Sequence, residues 1–109
     1  MVQGQVRVVM VQGQAYFYEL EFSGDTASVV TRVVISSDRF DFCHELERNA
    51  SDPNKWSYLF TEQETLGFDA VDGTHSITIY SSVEELNPQI LPNQLFSVCR
   101  NQNPQTCEV

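Results

Sequence analysis

Cysteine and histidine are the side chains best suited to chemistry here, and they are few: Cys43, His44, His75, Cys99 and Cys107. A nucleophilic pair needs an imidazole within hydrogen-bond reach of the sulfur. Cys43-His44 is the one Cys/His adjacency, yet neighbours on a helix point about 100° apart. Cys43 also falls on an apolar stripe, where a small core residue is expected. A metal site is best announced by two ligands on one element, as in C-x-x-C or H-x-x-x-H, and none of these residues is spaced that way. The five glycines are spread singly, so no phosphate-cradling loop stands out. Carboxylates are plentiful, but Glu64 and Asp69 are expected to be solvated, and His75 to sit at a core edge. The expectation is a chain without catalytic, metal or cofactor residues.

The element that would position any site is the opening stretch, Gln5 to Ser36, read as three antiparallel strands. Val6, Val8 and Met10 alternate with Arg7, Val9 and Val11; Tyr16, Tyr18, Leu20 and Phe22 alternate with Phe17, Glu19 and Glu21. A three-residue loop at Gln12-Gly13-Gln14 would set Met10 opposite Tyr16, Val8 opposite Tyr18 and Val6 opposite Leu20. It would also pair Arg7 with Glu19. Such loops prefer glycine last, and here it is in the middle. Gly24-Asp25 suits a type II′ turn. That turn would set Leu20 opposite Val29, Tyr18 opposite Thr31, Tyr16 opposite Val33 and Phe17 opposite Arg32. One face then holds Val6, Val8, Met10, Tyr16, Tyr18, Leu20, Phe22, Val29, Val33 and Ile35. The other gathers Arg7, Val9, Val11, Phe17, Glu19, Glu21, Val30, Arg32 and Val34. Five large apolar residues on that second face require a cover, from the chain itself or from a partner.

Downstream, Asp38 reads as an N-cap with Asp41 in the first turn. Phe42, Cys43, Leu46 and Ala50 recur at helical spacing, which predicts a helix over 38–49 ended by Ser51-Asp52-Pro53-Asn54. Trp56 to Thr61 reads as a strand. Thr65 to Val71 and Thr74 to Ser81 flank Asp72-Gly73, a strong hairpin signal that would set His75 opposite Ala70. Ser82 with Glu85 begins a short capped helix that Asn87-Pro88 stops. Gln94 to Cys99 forms a last strand, and Arg100 to Val109 an irregular tail. The order is βββ-α-βββ, a short helix, then β. It describes one α+β domain, its sheet strongly curved or a half-barrel packed on one helix.

The chain has 109 residues, 41% hydrophobic, with seven Phe, four Tyr and one Trp, enough to pack a single globule. Its net charge of −9, with Lys55 the lone lysine, disfavours nucleic acid and anionic membranes as partners. The same charge favours steering towards a basic partner. No apolar run approaches the ~20 residues of a membrane span, and Met1 to Gly4 does not open like a signal peptide. Three cysteines without an export signal fit reduced thiols in the cytoplasm; in an oxidising compartment Cys99 and Cys107 would bridge. Asn49-Ala50-Ser51 matches the glycosylation sequon, read as chance in a cytoplasmic chain.

These readings converge on a small acidic, non-enzymatic interaction domain: an inhibitor, an immunity-type protein, an assembly factor or an oligomer subunit. It would bind another protein, or itself, through Arg7, Val9, Val11, Phe17, Glu19, Val30, Arg32 and Val34. Two other functions compete. One is a small-molecule-binding half-barrel lined by Tyr16, Tyr18, Phe22, Trp56 and Tyr58; the other is an acidic decoy that occupies a basic nucleic-acid-binding site.

Overall fold

The computed structural model describes residues 2–4, 7–91 and 93–100. Its strands are β1 (Val2–Gly4), β2 (Arg7–Val11), β3 (Tyr16–Phe22), β4 (Val30–Ser37) and β5 (Phe42–Glu45). They continue with β6 (Glu47–Arg48), β7 (Lys55–Phe60), β8 (Asp72–Ser81), β9 (Gln89–Ile90) and β10 (Gln94–Cys99). Two five-residue helices, α1 (Asp25–Val29) and α2 (Glu62–Leu66), and a 3₁₀ turn at Glu84–Leu86 complete the described elements.

The strands form two sheets. A four-stranded sheet runs β1-β3-β7-β6, and a larger one runs β2-β10-β8-β4-β5 with β9 paired to β8. Together they make a curled, strand-rich half-barrel with few helices. Each sheet turns one face inward. In β8, His75, Ile77, Ile79 and Ser81 are buried while the residues between them are half-buried, the period-2 pattern of a strand with one covered face. The smaller sheet contributes Tyr18, Leu20, Phe22, Trp56 and Phe60, and the larger Val8, Met10, Val33, Ile35, Phe42 and Phe96. Rings interlock across the interface: Phe42 and Phe60 lie edge-to-face at 5.3 Å, and Tyr18 and His75 at 5.7 Å.

The expected opening meander does not form. β2 runs parallel to β10, so Arg7 stands opposite Leu95 and not Glu19, while β3 pairs with β1 and β7. The Gln12-Gly13-Gln14 segment is therefore an arch between sheets, and Gly13 supplies its positive φ of 82°. Gly24-Asp25 leads into α1 in place of a hairpin, so Phe17 is opposite Leu59 and not Arg32. The helix predicted over 38–49 is also replaced. Asp38 to Asp41 turn β4 into β5, with Asp41 at φ 53°, a conformation aspartate tolerates better than most residues. Phe40, Phe42 and Leu46 are buried, with half-buried His44 in phase between them, whereas Cys43 and Glu45 are exposed. That alternation is a strand's, and it places Cys43 outside the core it was expected to join.

Asp72-Gly73 lies inside β8, opposite Ser97 and Phe96, so the hairpin expected around it is absent. Glycine serves close approach there: an added Cβ would sit 2.7 Å from Phe40 Cε2 and 2.8 Å from Arg39 Cγ. The Trp56 and Gln94 strands are found as β7 and β10. Val6, Cys107 and the tail from 101 onward lie outside the described residues. No helix among the described residues is long and apolar enough to cross a membrane.

Candidate functional site

Chain direction creates the site. β5 ends the larger sheet at Glu45, Leu46 is buried at the corner, and β6 joins the smaller sheet at Glu47. A cleft of about 460 Å³ opens beside this corner, lined by Phe17, Glu45, Glu47, Ser57, Tyr58 and Leu59. Phe17 and Leu59 are directly opposed on β3 and β7, and are 54% and 53% exposed, so a cross-strand apolar pair faces solvent. One row along, Glu19 and Glu47 flank Ser57 from the two neighbouring strands. Arg32 Nε donates to Glu45 Oε1 at 3.1 Å on the opposite rim.

Behind the cleft, three polar residues meet. Tyr58 donates to Glu64 Oε1 at 3.0 Å, and His44 Nε2 donates to Glu64 Oε2. A carboxylate only accepts, so that bond places the His44 proton on Nε2. The imidazole is stacked on Tyr58 at 4.2 Å and on Phe42 at 5.5 Å. Burial, then the hydrogen bond to Glu64 and its charge, push Tyr58 up to about 12. Glu64 is in reach because Thr61 caps α2, its hydroxyl accepting from the Glu64 amide at 3.1 Å. Glu64 was expected in water and is instead 19% exposed with both oxygens engaged. The Thr61-Glu62-Gln63-Glu64 spacing matches a capping box, a signal in the sequence that would have placed it at a helix start.

His75 belongs to the core itself. It is 1% exposed, its Nε2 lies 3.2 Å from the Tyr18 hydroxyl, and burial lowers it to about 4, the Gln94 backbone offsetting only part. The ring is therefore neutral at physiological pH. A second cleft, of about 90 Å³, lies by the β4–β5 turn between Ser36, Arg39 and Asn93. Its polar groups are largely engaged: Ser37 with the Thr74 carbonyl at 2.8 Å and Ser36 with Ser76 at 3.2 Å within the cleft, and Arg39 with Asp69 outside its lining at 3.4 Å.

The partner-binding residues expected from the sequence do not share one face. Phe17 lines the large cleft and Glu19 adjoins it; Arg32 and Val34 reach it through Glu45, the pairing partner of Val34. Val9, Val11 and the Arg7 backbone stand on β2, separated from β4 by β10 and β8. Val30 is buried, because a register shift between Val30 and Arg32 turns it inward. The sequence reading missed Glu45, Glu47, Ser57 and Leu59, which become neighbours only once the chain changes sheets. The aromatic concave surface is occupied by the protein's own core, with Tyr18, Phe22 and Trp56 buried. Cys43 is a free, exposed thiol, and Cys99 is disulfide-bonded. Among the described residues no three His, Cys, Asp or Glu side chains gather as metal ligands.

The half-barrel with an outward cleft is thus an α+β framework carrying a mixed apolar and acidic surface. No family model matches the chain, and no curated protein matches it. Among solved structures, a crystal structure of a Bacteroides vulgatus ATCC 8482 protein assigned as a glycoside hydrolase aligns over 89% of this chain. The alignment has a TM-score of 0.41 and 12% identity, and the chain spans 17% of that protein's length. A likeness that weak carries no functional argument.

Proposed function

We propose that this is a non-enzymatic interaction domain that binds another protein through the outer face of its four-stranded sheet. The observation that carries the reading is the Phe17–Leu59 pair, two large apolar side chains directly opposed and more than half exposed at the mouth of the cleft. Covering what each leaves in water would contribute about 2 kcal/mol for the pair, the scale of an interface anchor. Leu66, Val71 and Ile90 are also exposed, but the strand register opposes none of them to another exposed apolar residue. The disulfide at Cys99 is of a kind reducing compartments seldom keep, so we place the domain in an oxidising compartment in preference to the cytoplasm.

Immobilised wild-type chain and a Phe17→Arg/Leu59→Arg variant, matched for circular dichroism and melting, test the reading. Selective capture of one protein from the source extract by wild type, lost in the variant, is the expected outcome. Equal capture by both, or by neither, overturns it.

A further inference from the structure

The binding reading leaves the chemistry of the partner open, and the cleft narrows it. We infer that its occupant is an extended basic segment of a partner protein. Its apolar side chains would lie on Phe17 and Leu59, and its arginines or lysines beside Glu47 and Glu45. The inference rests on the proposed binding role and adds the class of partner.

Charge is the first argument. Glu19, Ser57 and Glu47 form one row across β3, β7 and β6. Two strand spacings put the carboxylate-bearing positions roughly 10 Å apart. Among the described residues neither glutamate has an ion-pair partner, while Lys55 is turned to Asp52 at 3.9 Å. Glu45 is held by Arg32, but in a pair about half exposed on both sides. Exposed pairs are worth at most about 1 kcal/mol, so an incoming guanidinium can compete for it. A cation between Glu19 and Glu47 relieves their mutual repulsion, and neither has an ion-pair partner among the described residues.

Shape is the second. β6 pairs with β7 only at Ser57 and Trp56. Beyond that point Tyr58, Leu59 and Phe60 have β3 on one side and, among the described residues, no strand on the other. An unpaired strand edge is where an extended segment adds its own main-chain hydrogen bonds, alternate side chains falling into pockets along it. Ser57, Tyr58 and Leu59 of this strand line the cleft, together with the Phe17 ring and the carboxylates of Glu45 and Glu47.

The same charge argues against a second copy of the chain. Each copy has fifteen acidic residues against six basic ones, so self-association would bring acid to acid.

The test uses fluorescence anisotropy with two labelled probes, a short peptide alternating Arg and Leu and its counterpart alternating Glu and Leu. The Arg/Leu probe should bind, weaken as salt rises, and lose roughly fivefold or more with Glu45→Gln/Glu47→Gln and with Phe17→Ala/Leu59→Ala. A Glu84→Gln/Glu85→Gln control makes the same change in net charge on the 3₁₀ turn, outside the cleft lining, and should bind as wild type does. The inference is overturned if the probe does not bind, if the control weakens it as much as the cleft variant, or if the Glu/Leu probe binds equally well. Should those results coincide with capture that still depends on Phe17 and Leu59, the binding reading survives and only the basic segment is lost. Loss of both would remove the interface itself.

Discussion

At Glu64 one carboxylate holds three elements together, receiving His44 from β5 and Tyr58 from β7 while standing in the first turn of α2. Tyr58→Phe keeps the ring that stacks on His44 and removes only the hydroxyl. A loss of about 1–2 kcal/mol is expected in urea denaturation, and Glu64→Leu should be more damaging because it strands both donors. His75 makes the stability of the whole fold sensitive to acid. Its folded value of about 4 lies below the ordinary 6.5, so between these limits the unfolded chain binds a proton that the native state refuses. Stability is therefore full above about pH 6.5 and falls as pH drops towards 4, by up to about 1.4 kcal/mol per pH unit. Denaturation midpoints across that range measure it, and His75→Gln should flatten the slope. At this scale the sequence was informative about residue type and silent about company. His44 was weighed against its chain neighbour Cys43, whereas its partners are Tyr58 and Glu64, brought in by strand and helix geometry.

Elements were legible wherever one periodicity stood alone. Trp56, Tyr58 and Phe60 alternate without competition, and β7 is found there. Between Asp38 and Ala50 two periods overlap: Phe42, Leu46 and Ala50 fit a helix, while Phe40, Phe42, His44 and Leu46 fit a strand. Pairing with β4 decides for the strand, because its hydrogen bonds come from a long-range neighbour that local propensity cannot register. Asp72-Gly73 misled for a related reason, since glycine marks tight turns and close packing alike. Gly73→Ala should cost about 1–3 kcal/mol by thermal melting, as its methyl group would meet the Phe40 ring. The glycine in the middle of Gln12-Gly13-Gln14 was a truer warning: the segment is an arch, secured by Thr65. That side chain is fully buried; its hydroxyl accepts from Gly13 N at 3.0 Å and lies 2.9 Å from the Gln14 carbonyl. Thr65→Val should cost about 1–3 kcal/mol and speed hydrogen exchange at the Gly13 amide.

For the molecule as a whole, fold class came through and strand order did not, because parallel and crossed pairings leave no local trace. The excess of acid should make moderate salt stabilising, with the melting temperature rising as ionic strength screens self-repulsion. Alkylation in denaturant without reductant should modify Cys43 and spare Cys99, which is buried in the native fold, and added reductant should make Cys99 reactive as well; modification of both without reductant would remove the disulfide and the oxidising compartment with it. The placement of β10 between β2 and β8 has a further consequence, felt as the chain folds. Until residues 94–99 dock, β2 and β8 stand with bare edges, and the larger sheet cannot close around the rings that will fill it. A chain truncated just short of Gln94 should therefore aggregate rather than fold.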